Sequence, residues 1–240
     1  MTPNALVFSA FTILSAAAFF RSEGPSRIFR RSRGEWLADG AGLLVQGVVV
    51  PFVETALVYA GLYRFFPQLR GAVAISPITA FALNFVLVDY LYYWNHRLLH
   101  GALWPWHALH HSAEDLDVWV TSRNTLWTPV LIVYIWINGL FAFILKDPSA
   151  YLLSAAITAA LDLWRHSGAW PADWTLPLLI TPREHAWHHS AERFDRNFGA
   201  NLKLWDRLHG THFDPRTAPG KLGLAVPGGA LRALAVGAAR

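Results

Sequence analysis

Eight of the eleven histidines fall in three short groups: His96-Arg97-Leu98-Leu99-His100, His107-Ala108-Leu109-His110-His111 and His185-Ala186-Trp187-His188-His189. On a helix, residues i, i+3 and i+4 project from one side, so each group can aim two or three imidazoles at one point. Neutral imidazole is a ligand for iron, zinc and copper alike and needs no thiolate beside it. The chain has no cysteine, which removes disulfides, iron–sulfur clusters, thiolate haem ligation and thiolate zinc sites together. Any metal must then be held by His, Asp or Glu. One ion takes about four to six ligands, whereas the groups supply eight and His166 makes nine, so two ions are expected. A lone histidine is usually a hydrogen-bonded side chain, and His209 and His212, which have no i, i+4 partner, are read that way.

Something apolar must position these groups. Of 240 residues, 54% are hydrophobic and 15% charged, against about 25% charged in globular domains, and the twelve Trp and fifteen Phe suit membrane interfaces as well as cores. Residues 5–20 are apolar without a break and lead into Arg21, Arg27, Arg30, Arg31 and Arg33. Positive charge after the apolar run marks a retained anchor with its arginines in the cytoplasm, since a cleaved signal peptide carries its charge in front. Residues 36–66 are apolar but interrupted by Gly40, Gly42, Gly47, Pro51 and Glu54, which suits one kinked span or two half-spans. Residues 78–93 run directly into His96, and residues 127–145 with 151–164 form a hairpin joined by Lys146, Asp147, Pro148 and Ser149. Threading five crossings from outside puts every histidine group on the cytoplasmic face.

The expectation is an all-α integral membrane bundle of four or five transmembrane helices with a cytoplasmic, histidine-rich helical cap. Residues 1–77 form an N-terminal transmembrane region, 78–215 the metal-binding part and 216–240 a flexible tail rich in Ala, Gly and Leu. The net charge of +4 forms no basic stripe with stacking aromatics, so no nucleic-acid partner is expected. Asp89, seven residues before His96 and on the same helical face, is placed to accept an imidazole N–H, and Asp117 to do so for the middle group.

The stretches Asp89-Tyr90-Leu91-Tyr92-Tyr93-Trp94-Asn95-His96, Trp106-His107-Ala108-Leu109-His110-His111-Ser112 and Thr181-Pro182-Arg183-Glu184-His185-Ala186-Trp187-His188-His189 resemble the fatty acid hydroxylase superfamily, also called the sterol desaturase family. Asp195-Arg196-Asn197-Phe198-Gly199 and Leu204-Trp205-Asp206-Arg207-Leu208-His209-Gly210-Thr211 are similar to its C-terminal signature. The resemblance implies a membrane di-iron oxidase in which His96, His100, His107, His110, His111, His166, His185, His188 and His189 hold two irons, with zinc as a substitute. Relatives often carry another histidine one turn after the position of His166, where this chain has Trp170; a water or an amide would then complete one ion, and Asn197 is the candidate amide. Relatives also often carry a histidine near Arg123, where this chain has Asn124 and Thr125.

Breaking an unactivated C–H bond needs an ion that changes oxidation state and handles oxygen, which is iron's chemistry rather than zinc's. The expected activity is O2-dependent hydroxylation or desaturation of a lipid. Electrons must come from a separate reductase, since no Gly-x-Gly-x-x-Gly motif and no cluster ligands are present. Arg193, Arg196, Lys203 and Arg207 offer a docking patch for an acidic donor, against the plainer reading of a solvated charge set. Two alternatives are weighed: a zinc-dependent membrane hydrolase, which typically wants the absent His-Glu-x-x-His, and a non-enzymatic haem- or metal-binding protein. A haem carrier would place its histidines mid-span, and a metal transporter would line its spans with carboxylates, for which only Glu54 and Asp162 qualify.

Overall fold

The computed structural model describes residues 2–21, 24–168 and 176–238, and among them it is helical, with isolated bridges but no sheet. Helix α1 (Pro3–Phe20) starts on a Thr2 cap with Pro3 in its first turn, where a missing N–H costs nothing. Helix α2 (Arg33–Phe65) starts on a reciprocal capping box between Ser32 and Glu35. It runs unbroken for 33 residues, which answers the question of one span or two: the chain does not reverse within it. Pro51 is absorbed between two π-helical stretches, Val45–Val49 and Glu54–Tyr59, where the hydrogen-bond ladder shifts by one residue.

Helix α3 spans residues 77–100, with a π segment at Leu83–Val88, and ends at Gly101. Helix α4 (Trp104–His107) is a single turn. The run 127–145 is not one helix, because Ile132 is extended (φ −80°, ψ 128°) and separates the turn Thr128–Leu131 from α5 (Val133–Ile144). At 12 residues α5 is about 18 Å long, short of a ~30 Å hydrocarbon core. Helix α6 (Ser149–His166) is the hub, packed on α1, α3, α5 and α7 (Pro182–His188).

Two helices, α1 and α2, are long and apolar enough to cross a membrane by length and composition. Both are barely buried, and Phe8, Ile13, Phe52 and Leu57 are each more than 60% exposed. A surface of that kind is unfavourable in water and suits hydrocarbon. The other expected spans are shorter, like α5, or carry ionisable groups such as Asp89, Asp162 and Arg165.

The two ends of the bundle differ. At one, the 71–73 loop is hydrogen-bonded to the α5–α6 turn through Val73 N to Ile144 O and Lys146 N to Val73 O, both 2.9 Å. At the other, the arginines after α1 are ion-paired to the loop that follows the middle histidine group: Arg21 with Asp115 at 3.2 Å, and Arg31 with Asp117. Arg123, 1% exposed, grips Asp39 of α2 through two N–H groups at 2.6 and 3.0 Å.

Residues 221–238, expected from composition to belong to a flexible tail, pack against the rest of the described chain. Their main chain pairs with the histidine layer, Gly223 N donating to His189 O at 3.2 Å and Leu224 N to His111 O at 2.7 Å. Helix α8 (Gly229–Val236) then packs on the start of α2, with Ala233 fully buried. Its Ala/Gly composition reflects close approach to neighbouring backbone: a Cβ at Gly237 would lie 2.7 Å from Pro105 O.

Candidate metal centre

All nine candidate histidines converge, in two groups. His96, His100, His107, His111 and His188 form one, and His110, His166, His185 and His189 the other; within each group the ligand-capable nitrogens lie within 4.8 Å of one another. The division cuts through both His-x-x-His-His motifs. At 100° per residue, i and i+4 are ~40° apart around a helix, whereas i+3 and i+4 are ~100° apart. His107 and His111 therefore share a group while His110 turns to the other, and His185 and His189 share a group while His188 turns away. Each His-x-x-His-His motif thus aims two imidazoles at one group and the third at the other, so each motif serves both groups.

Local sequence sets the directions. Helix α3 carries His96 and His100 in its last turns before Gly101 stops it. The middle motif is split between α4 and the 3₁₀ turn His110–Ser112. Thr181-Pro182-Arg183-Glu184 starts α7 with Pro182 in the first turn and a capping box, Glu184 Oε2 accepting from Thr181 N at 2.8 Å. The other oxygen of Glu184 binds Lys203 and His212. Burial raises the Glu184 pKa, but those bonds from His212 and Lys203 outweigh it and hold the carboxyl at about 2. Sequence reasoning missed this clamp, and it also removes Lys203, 2% exposed, from the expected docking patch.

Four of the rings are fixed from behind by main-chain carbonyls. His96 Nδ1 donates to Phe198 O (2.9 Å), His110 Nδ1 to Arg123 O (3.2 Å), His166 Nδ1 to Asp162 O (2.8 Å) and His188 Nδ1 to Arg196 O (2.7 Å). A ring that donates from Nδ1 presents a lone pair at Nε2 when neutral. Yet His96 Nε2 and His188 Nε2 lie 3.1 Å apart, and His110 Nε2 and His166 Nε2 3.2 Å apart. Lone pair then faces lone pair in each group, an arrangement that a cation between them makes favourable. Both nitrogens of His100, His111 and His189 are buried with no hydrogen-bond partner among the described residues, which is costly unless a ligand is bound. Burial pushes the imidazoles of His100, His107, His111, His185, His188 and His189 far below their usual pKa, His96 to about 4 and His110 to about 3. They are neutral at pH 7 and competent as ligands, so the donor set fits two transition-metal ions.

The expected supporting residues are placed differently. Asp89 accepts from Asn201 N, Leu202 N and Trp205 Nε1 at 2.7–3.0 Å rather than from an imidazole. Asp117 is taken by Arg31 and by Trp119 N. Asn197 is no amide ligand: its Oδ1 accepts from Phe213 N and its Nδ2 donates to Glu184 O and Phe213 O, each at 2.8 Å. For Asp89 and Asp117 the cause is the same, since the Nδ1–H groups of His96 and His110 are met by main-chain carbonyls. His209 stacks on Tyr93 with ring centres 5.0 Å apart, and His212 pairs with Glu184, so both lie outside the groups. Trp170 lies outside the described residues.

Fold and site together define a helical protein with two adjoining all-histidine donor groups at one end of exposed apolar helices. The chain belongs to the fatty acid hydroxylase family, whose model matches residues 81–211, more than half of its length. It is similar to the ornithine lipid hydroxylase of Rhizobium tropici, 35% identical over 157 residues that cover 59% of this chain and 44% of that protein. It is also similar to the alkylglycerol monooxygenase of Homo sapiens (31% identical, 57% of this chain, 31% of that protein) and the C-4 methylsterol oxidase of Schizosaccharomyces pombe (26% identical, 58% and 50%). The chain thus spans half or less of the length of these relatives. No solved structure matches it.

Proposed function

We propose that the chain is a membrane-bound, di-iron, O2-dependent lipid hydroxylase or desaturase, with His96, His100, His107, His111 and His188 holding one iron and His110, His166, His185 and His189 the other. The observation that carries this is the pair of Nε2–Nε2 contacts between rings already pinned at Nδ1. At a metal–nitrogen bond of ~2.1 Å, ligands at a right angle lie ~3.0 Å apart and ligands at a tetrahedral angle ~3.4 Å. The nearest ring nitrogens lie 3.0–3.2 Å apart, close enough for one ion to be shared within each group, and the lipid-oxidising relatives support iron over zinc. Bound there, the irons supply oxygen activation and C–H oxidation.

The chain's own residues hold the rings and keep water out. The carbonyls of Phe198, Arg196, Arg123 and Asp162 fix four rings in the Nδ1–H tautomer, and the 222–224 segment lies against the layer. Glu184 is held by Lys203 and His212 and is not free to act as a hydrolytic base. The relatives named above as acting on ornithine lipid, alkylglycerol and methylsterol support a lipid substrate here. A multi-pass topology with the histidines at the cytoplasmic face, residues 78–215 as the catalytic part and a separate reductase complete the reading. The arginines ion-paired at the histidine end support that orientation.

The test is metal analysis of the purified chain together with untargeted lipid analysis of cells expressing it or its His188→Ala variant. Iron near two per chain and a lipid product lost in the variant are expected. Zinc in place of iron, or unchanged lipids, refutes the reading.

A further inference from the structure

A cavity of about 230 Å³ lies between α2, α3, α5 and α6, beside the histidine layer. Its inner end is formed by Tyr92, whose ring centre is 5.1 Å from that of His96, and by Asp162, whose carbonyl holds His166. Its far end carries Glu54, Asn84 and Asn138. Asn84 is eight residues before Tyr92 on α3, so about 12 Å of helix separates the two ends. The wall between them is mostly apolar, with Val50, Ile132, Ile135 and Ala159.

The far end is polar in a way the fold does not need. Asn138 Oδ1 accepts from Asn84 Nδ2 at 3.2 Å and from Tyr151 OH at 2.9 Å. This leaves Asn84 Oδ1 buried without a partner in a residue 2% exposed; Tyr134 OH, whose ring stacks on Tyr92 at the inner end, is equally unmatched. Such groups are costly inside a bundle unless something that enters satisfies them. Arg165 is the one basic residue among the described lining, and Asp162 matches its charge at 3.0 Å. Glu54 is a carboxyl with no cation on the lining opposite it. Whether that carboxyl is ionised or neutral, an incoming carboxylate meets no counter-ion, while a hydroxyl or an ammonium finds acceptors in Glu54 and Asn84.

We infer that this cavity is the substrate chamber, and that it takes a lipid presenting a hydrogen-bond-donating, non-anionic group, a hydroxyl or an ammonium, to Glu54 and Asn84, with its hydrocarbon running toward the histidines. A free fatty acid carboxylate is excluded from that end. The inference rests on the lipid-oxidase reading above, and it concerns binding rather than turnover.

The experiment measures equilibrium binding of radiolabelled 1-hexadecanol, hexadecylamine and palmitate, matched in chain length, to the full chain in phosphatidylcholine nanodiscs, with empty nanodiscs subtracted. The alcohol and amine are expected to bind at least about tenfold tighter than palmitate, the order set by an uncompensated charge at low dielectric. Glu54→Gln should narrow the amine-to-palmitate gap by about tenfold, and Asn84→Leu should weaken the alcohol. Palmitate binding as tightly as the alcohol in the unsubstituted chain overturns the inference, whatever the variants do. So does an unchanged amine-to-palmitate gap in a Glu54→Gln protein with unaltered thermal unfolding. Iron content of the same samples reports on the oxidase reading separately, since an iron-free protein with the expected order refutes that reading and leaves the chamber standing.

Discussion

Asp89 and Asn201, 112 residues apart in the chain, meet through a 2.7 Å bond from the Asn201 main-chain N–H to the Asp89 carboxylate. The same carboxylate takes Leu202 N and Trp205 Nε1. Asp206 does likewise for Phe198 N and Gly199 N, both at 2.8 Å. Two buried carboxylates thus shape the loop whose Phe198 and Arg196 carbonyls fix His96 and His188. They act on the metal centre through the backbone and touch no imidazole.

Replacing Asp89 by Ala leaves three buried donors unmatched, at about 1–3 kcal/mol each. A lower unfolding temperature and loss of iron are expected, read by thermal denaturation and metal analysis. An Asp89→Ala protein that keeps both would show that the loop holds its shape without the carboxylate.

His107→Ala and His209→Ala separate ligand from bystander. Loss of a metal-supporting partner alone costs about 10–100-fold in affinity, so removing a ligand should weaken iron binding by about a hundredfold or more. His209 stacks on Tyr93 away from both groups, and its variant should retain full iron. Equal iron content in the two proteins would contradict the assignment.

Acid should unfold the metal-free protein early. The unfolded chain protonates its histidines near pH ~6.5, whereas in the fold His96 does so only at about 4 and His110 at about 3. The unfolded state therefore binds more protons in between. Stability is fully present above pH ~6.5 and falls as pH drops through that window. Chelated protein compared at pH 7.5 and 5 should melt lower at 5, and a flat profile would contradict neutral, buried imidazoles.

Truncation after residue 215 removes the segment whose N–H groups bind the His111 and His189 carbonyls, and the helix seated on α2. The shortened protein should melt lower and lose iron faster to a chelator. A dispensable tail would leave both unchanged.

The convergence of the nine histidines was legible because i, i+4 spacing puts two rings of a motif on one side of a helix, and the split of each motif follows from the same 100° step. The carbonyl partners of the rings were not, because a main-chain carbonyl carries no residue signature. Asp89 and Asp117 were visible as acidic residues near the histidines, but sequence distance says nothing of the long-range amides and arginine that claim them. The break at Ile132 hid inside an unbroken apolar run, since hydropathy records transfer energy and not dihedral angles. The docked tail was misread because Ala and Gly signal close contact as readily as disorder.

If the two groups hold the two irons proposed above, the division of each His-x-x-His-His motif between them would couple their loading. An ion captured by His107 and His111 orders the turn that carries His110, and one captured by His185 and His189 orders the helix that carries His188. Immobilising backbone costs about 1–2 kcal/mol per residue, and the first ion meets that cost for both. The second ion would then find its imidazoles already held, and titration with ferrous iron is expected to leave the half-loaded protein the scarce species.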